Sequence, residues 1–141
     1  MEDSLGRDWI VQAQEYLRMA REAVRIGMLA IAVRQAQTSV ELSLKAALRW
    51  SGIDHPREHD VSDAIRAEIE RFPPWFREAM DTALPLSSEL VRQRQIALYG
   101  LEREGKPPSK VFTDPAAVQR FVSLARRAHK LALRLYSTRG R

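Results

Sequence analysis

Twenty-two consecutive residues, positions 29 to 50, contain neither glycine nor proline and carry apolar side chains at intervals of three and four. This spacing places the apolar side chains on one face of an α-helix. Further apolar residues widen that face, so we expect a central helix that is ended by Gly52 and Pro56. Its apolar face comprises Val33, Ala36, Val40, Leu44, Ala47 and Leu48, widened by Ile31, Leu42 and Ala46.

Similar patterns on both sides of this segment predict further helices and no convincing strand. Asp60 is the expected N-cap of a short helix, and Asp114 precedes a proline at the first position of the last helix. Pro85 is expected to interrupt or kink the helix that contains it. The predicted helices cover about residues 8–27, 29–50, 60–71, 75–100 and 115–136.

These segments predict an all-α protein, an antiparallel four-helix-type bundle with one or two additional short helices. At 141 residues the chain is expected to form one domain, residues 1–141, with a core spanning about residues 8–136. Gly105, Pro107 and Pro108 predict an exposed loop over about residues 101–113.

The composition excludes several classes of chemistry. Cysteine is absent, which removes disulfides, thiolate metal sites and cysteine nucleophiles. No apolar run approaches the roughly 20 residues that cross a bilayer, and the first residues lack the features of a signal peptide. We therefore predict a cytoplasmic protein that does not bind membranes. No sequence motif indicates a cofactor.

Charge is distributed unevenly along the chain. Residues 1–70 carry a net charge of −3, whereas residues 71–141 carry +8, and 19 of the 23 basic residues are arginines. The last helix places its basic side chains on one face and contains no acidic residue. This face is either an ordinary solvated surface or a ridge that attracts phosphate groups. It comprises Arg120, Arg126, Arg127, Lys130 and Arg134.

Five short motifs, in this order and spacing, resemble the HEPN family over about residues 8–136. Two lie in the second helix, one precedes the third, one ends the fourth and one leads into the fifth. They are Arg34-Gln35-Ala36, Glu41-Leu42-Ser43-Leu44-Lys45-Ala46, His59-Asp60, Ala97-Leu98-Tyr99-Gly100, and Pro107-Pro108 followed by Thr113-Asp114-Pro115-Ala116.

The resemblance implies a helical bundle that forms a homodimer and binds a minimal nucleotidyltransferase. Catalytic members are metal-independent RNases, frequently the toxins of toxin-antitoxin pairs. Their motif is an arginine followed after four to six residues by a histidine, and in one version by a tyrosine that the partner modifies with adenylate. Arginine can hold the scissile phosphate, while histidine can move the proton of the 2′-hydroxyl.

This sequence departs from that motif at one position. Arg92 and Tyr99 match, but Ala97 stands where the histidine is expected. We therefore predict a non-catalytic interaction module with Arg92, Arg94 and Tyr99 near a shared cleft. The two arginines either hold a phosphate or an acidic side chain, or pair with Glu89 or with the dimer partner. Two alternatives remain open. One is an RNase with a displaced histidine, such as His129 across the dimer, and the other is a nucleic-acid or nucleotide binder that uses the arginine-rich last helix.

The remaining polar and aromatic candidates have simpler interpretations. Glu41 and Lys45 are spaced for an intrahelical ion pair. Tyr99 is either an exposed acceptor of adenylate or a half-buried aromatic residue, and His129 is expected to be packed. The tryptophans Trp9, Trp50 and Trp75 are expected in the core or at a dimer contact. A dense polar group is attributed to turns and capping, with no metal: Asp54, His55, Glu58, His59 and Asp60.

Overall fold

The computed structural model describes residues 3–139 and confirms the all-α fold. Within this range there is no β-strand, and the one pair of residues in β-type contact is Leu101 with Lys106. Residues 1, 2, 140 and 141 of the predicted domain lie outside the described residues. The helices are α1 (Ser4–Arg25), α2 (Leu29–Trp50), α3 (Ser62–Ala67), α4 (Pro74–Tyr99), α5 (Pro108–Val111) and α6 (Pro115–Arg139).

Helix α2 is the centre of the bundle and packs against α1, α4 and α6. Its bounds agree with the prediction, because glycine and proline are excluded from the segment and follow it closely. Most alanines of α2 are fully buried, which lets the three long neighbours approach it closely. The predicted apolar face is therefore the core of the protein.

Helix α4 runs through Pro85 as one helix of 26 residues, so the predicted interruption does not occur, while the alternative of a kink stays a prediction. Proline removes one intrahelical hydrogen bond. Here Leu84 and Leu90 on either side of it are buried in the core, and their packing holds the helix together. Tertiary contacts therefore outweigh a local helix breaker.

Several boundaries differ from the predictions. Helix α1 begins at Ser4 and ends at Arg25, whereas it was predicted over about residues 8–27. The Asp60 carboxylate accepts the Ser62 backbone N–H at 3.0 Å, so the helix begins at Ser62; it ends at Ala67 and a 3-10 turn follows. The predicted loop contains a 3-10 turn and the short helix α5. The last helix extends to Arg139, and its cap is as predicted, since the Asp114 carboxylate accepts the Ala116 N–H at 3.0 Å. Among the described helices, none is both long and apolar enough to cross a bilayer.

Candidate functional site

A groove of about 400 Å³ lies where α4 ends and the following turn begins. Arg92 and Tyr99 lie seven residues apart, nearly two helical turns, and therefore share one face of α4. Both are exposed, and Tyr99 retains 61% of its accessible surface. The groove is completed by Gln95, Ile96, Gly100, Leu101, Glu102, Arg103 and Glu104.

The turn that forms one wall of the groove is held by backbone hydrogen bonds. Leu101 N–H donates to the Lys106 carbonyl at 2.8 Å, and Lys106 N–H donates to the Leu101 carbonyl at 3.0 Å. Gly100 joins this turn to α4 with φ of 76° and ψ of −162°, a backbone conformation that residues with a Cβ atom rarely adopt. The wall is therefore fixed relative to Arg92 and Tyr99.

Ala97 does not lie in this groove. It lies five positions after Arg92, which rotates it by about 140° around the helix, and its side chain is buried in the core with 4% exposure. A side chain at position 97 thus points away from Arg92. Among the described residues that line the groove, none is a histidine.

Arg94 does not join Arg92 and Tyr99 either. Its side chain points toward α2, where Nη1 donates to Gln37 Oε1 at 2.5 Å and lies 3.5 Å from Thr38 Oγ1. The expected partner Glu89 instead pairs with Arg120 at 2.5 Å. Arg92 and Arg94 are close in sequence and were predicted to act together, but they lie on different surfaces of the protein.

A partly buried polar network continues from Arg94 along α2. Gln37 Nε2 donates to Glu41 Oε1 at 3.1 Å, and the other Glu41 oxygen accepts from Lys45 Nζ at 2.9 Å. His59 Nδ1 lies 2.8 Å from Glu41 Oε1. Burial alone would raise the pKa of Glu41, but the hydrogen bonds from Lys45, Gln37 and His59 outweigh it and lower the pKa. The Glu41 carboxylate thus anchors the network, and the predicted Glu41–Lys45 pair is confirmed.

Two further members of the dense polar group near α3, His55 and Asp60, have local partners. His55 Nδ1 lies 3.1 Å from the Pro56 carbonyl, and its ring packs edge-on against Trp9 at a centroid distance of 5.0 Å. Within residues 3–139, no three histidine or acidic side chains are arranged to hold a metal ion. The other tryptophans also pack within the chain, Trp50 against Tyr136 and Trp75 against Phe76.

The basic face of α6 is divided between two neighbours. On the α4 side, Arg120 pairs with Glu89, Arg127 Nη2 lies 3.3 Å from Thr82 Oγ1, and Arg134 lies 4.0 Å from the centre of the Trp75 ring. On the α1 side, a cleft of about 290 Å³ contains the other basic residues of α6 and two arginines of α1. The cleft is lined by Gln14, Glu15, Leu17, Arg18, Arg21, Arg126, His129 and Lys130.

His129 is a packed residue, as predicted, with 8% exposure. Burial lowers its pKa, and a hydrogen bond with the Ile10 backbone opposes this only in part. It lies in the cleft between α1 and α6 and is not among the residues lining the Arg92 groove. Within one chain, His129 therefore does not supply the proton-transfer group that the groove lacks.

The polar stripe of α2 was not predicted as a unit from the sequence. Its members recur at helical spacing, so they share one face of an otherwise apolar helix. This spacing was the sequence feature that could have predicted the stripe. Polar side chains on a central helix are buried and therefore need hydrogen-bond or ion-pair partners. The stripe comprises Arg34, Gln37, Thr38, Glu41 and Lys45.

Comparison with known proteins agrees with this architecture. The sequence model of one family, described as HEPN domain, matches residues 7–135. Among solved structures, the crystal structure of TT1696 from Thermus thermophilus is similar, with a TM-score of 0.72 and 20% sequence identity over 94% of this chain and 99% of that chain. At this identity the likeness concerns the fold alone. No curated protein matches the chain.

Proposed function

Because this chain belongs to the HEPN family, we propose that it is a non-catalytic binding module that forms a homodimer and docks a minimal nucleotidyltransferase. The docking site is the groove at the end of α4, with Arg92 and Tyr99 as its central contacts. The setting expected from the family is a toxin-antitoxin-like or nucleotide-related system. Tyr99 is then also the residue available for modification by adenylate.

The exposure of Tyr99 carries this proposal. A tyrosine with 61% of its surface accessible, beside an exposed arginine, has the composition that dominates binding energy at protein interfaces. Ile96 and Leu101 are only partly buried next to it and extend the apolar contact area. The fixed turn limits the ordering that docking requires, which favours affinity.

The donor groups of the groove support binding without cleavage. Arg92 and Arg103 can hold an acidic side chain or a phosphate, but a guanidinium remains protonated at neutral pH and cannot transfer protons. Imidazole, the usual group for that step, is not among the described lining residues. The groove is therefore suited to holding a partner.

The test is binding to the candidate nucleotidyltransferase of a neighbouring gene. Arg92→Ala and Tyr99→Ala are each expected to weaken the complex by at least about tenfold, as loss of a central interface residue does. Arg57→Ala, at an exposed position outside the groove, is the matched control and is expected to bind normally. Titration calorimetry measures the affinities, sedimentation measures the dimer, and mass spectrometry detects adenylate on Tyr99.

Three outcomes would contradict the proposal. The first is normal binding by both groove variants, and the second is no binding by any neighbouring nucleotidyltransferase. The third is cleavage of RNA by the purified protein in EDTA that is abolished by Arg92→Ala. That result would favour the alternative function, an RNase, for which the proton-transfer group would still have to be identified.

The cleft between α1 and α6 favours a second function, binding of RNA through its phosphates. Arg21, Arg126 and Lys130 are exposed, and their side chains have no hydrogen-bond or ion-pair partner in the described part of the chain. The single carboxylate of the cleft, Glu15, is paired with Arg18 at 2.8 Å. Three unpaired cations around one cleft attract a polyanion.

Salt dependence tests this second function. The double variant Arg126→Ala/Lys130→Ala is expected to bind a single-stranded RNA less tightly. The slope of log affinity against log salt should fall by about 0.7 for each phosphate that the variant no longer neutralises. Fluorescence anisotropy over a range of salt concentrations measures both quantities, and Arg57→Ala is again the control. A flat salt response in the unmodified protein would exclude this function.

A further inference from the structure

A cavity of about 310 Å³ lies between α4 on one side and α3 with its following 3-10 turn on the other. Its volume is at the lower end of the range of small-molecule sites in proteins. No residue that lines it belongs to the α4 groove or to the α1–α6 cleft. The lining residues are Arg66, Ile69, Met80, Asp81, Leu84 and Pro85.

Most of the cavity wall is apolar. Met80 and Leu84 are buried and belong to the core of the protein. Ile69 is half-buried and Pro85 is exposed, so part of the apolar wall remains in contact with water. A ligand with an alkyl or aryl group would cover this surface, which favours binding through the hydrophobic effect.

The two charged residues of the cavity, Arg66 from α3 and Asp81 from α4, have opposite charges but do not pair with each other within residues 3–139. The Asp81 carboxylate has no hydrogen-bond or ion-pair partner in that range. Arg66 has one ion-pair contact, at 3.5 Å from the carboxylate of the fully exposed Asp63. An exposed pair of this kind contributes little stability, so Arg66 can exchange it for the carboxylate of a ligand at little cost.

Pro85 adds a second acceptor to the turn of α4 that carries the Asp81 carboxylate. Proline has no N–H group, so the backbone carbonyl of Asp81, four residues earlier, lacks its usual donor in the helix. Because Asp81 and Pro85 are both exposed, this carbonyl lies on the outer side of α4. A carboxylate and a carbonyl of this kind in one turn favour a cationic donor, and an ammonium group carries three N–H donors.

We propose that this cavity binds an amino acid with an apolar side chain, its carboxylate on Arg66, its ammonium group on Asp81 and its side chain on the apolar wall. Arg66 repels a simple cation and Asp81 repels a simple anion, whereas a zwitterion satisfies both charges. The site does not depend on the docking function, because the two share no residue.

The proposal is tested by NMR titration of the full chain with leucine and three analogues that each lack one group. Isocaproate lacks the ammonium group and isoamylamine lacks the carboxylate, so each is expected to bind at least about fivefold more weakly than leucine. Glycine keeps both charges but lacks the side chain, and is expected to bind at least about tenfold more weakly. The amide signals of Arg66 and Asp81 are expected to shift with leucine.

Two variants assign each charge of the ligand to its partner. Arg66→Gln is expected to weaken leucine at least about fivefold without weakening isoamylamine, which has no carboxylate to lose. Asp81→Asn is expected to weaken leucine to a similar extent without weakening isocaproate, which has no ammonium group. Arg57→Gln and Glu78→Gln change exposed charges outside the cavity and are the matched controls.

Three results would overturn the proposal. They are the absence of leucine binding, equal binding of leucine and its analogues, and an equal effect of each variant on leucine and on both half-ligands. The last result is what a merely structural role of Arg66 and Asp81 predicts. None of them bears on the nucleotidyltransferase complex, which is measured separately with Arg92 and Tyr99 variants.

Discussion

Replacing Gly100 with alanine is expected to destabilise the fold by about 2–4 kcal/mol, as the sum of backbone strain and a steric collision. Gly100 has φ of 76° and ψ of −162°, a conformation that is essentially restricted to glycine. A Cβ atom there would also collide with the backbone carbonyl oxygen of Lys106 and lie 3.1 Å from Cα of Pro107. Neither neighbour is the mobile end of a side chain, so the turn itself must move.

Gly105→Ala is the matched control for this prediction. Gly105 lies in the same turn with φ of 64°, but a Cβ atom there has nothing within 4 Å. Only the backbone cost remains, about 1 kcal/mol. Urea denaturation of both variants gives the two free energies of unfolding. Equal losses would contradict the close approach of the turn to the end of α4.

The second large effect is expected at the buried ion pair of α2. Lys45→Met should destabilise the protein by about 2–4 kcal/mol, because removing one partner leaves the other charge buried and incompletely compensated. Lys45 and Glu41 retain only 11% and 16% of their side-chain exposure. Methionine keeps the apolar contacts of the lysine stem, so the loss reports chiefly on charge. Thermal or urea denaturation at pH 7 measures it.

Two controls isolate the charge. The double variant Glu41→Leu/Lys45→Met removes both charges and is expected to recover at least about half of the loss. Arg18→Met breaks the Glu15–Arg18 pair, whose side chains are 56% and 71% exposed, and is expected to change stability by less than about 1 kcal/mol. Failure of the double variant to recover any stability would show that the loss is due to packing.

The same pair predicts a pH dependence with a defined sign. Burial opposes ionisation of Glu41, but the hydrogen bonds to its carboxylate outweigh the effect of burial and lower its pKa below the unfolded value of 4.5. Its contribution to stability is therefore present above pH 4.5 and is lost as the pH falls through the lowered pKa. In Lys45→Met the strongest of those hydrogen bonds is missing, so protonation relieves the buried charge. The difference between variant and unmodified protein should consequently shrink in acid.

Arg92 and Tyr99 share a groove because they are seven residues apart on one continuous helix, a relation that the sequence contains. Ala97 and Arg94 leave that groove for the same reason, since their offsets turn them toward the core and toward α2. The motif spacing correctly predicted that these residues lie on one helix. Which of them come together depends on the face of the helix that each residue occupies.

Local sequence was sufficient for the helices that are long and strongly periodic. Flanking glycine and proline residues correctly predicted both ends of α2, and the Asp114 cap correctly predicted the start of α6. These residues affect the backbone only within a few positions, so the local sequence is sufficient. The same local rules predicted an interruption or a kink at Pro85 and a longer third helix, but α4 is not interrupted and the third helix is shorter. Their outcome depended on core packing, which a local pattern does not contain.

Tertiary structure decided which charges are free and which are engaged. One basic face of α6 became two surfaces because α4 provides Glu89, Thr82 and Trp75, whereas α1 adds two further arginines. The cavity of Arg66 and Asp81 likewise exists only where α3 and α4 pack together. Packing brings together side chains that are distant in sequence. The electrostatic energy of a charged side chain depends on these neighbours and not on its own position along the chain.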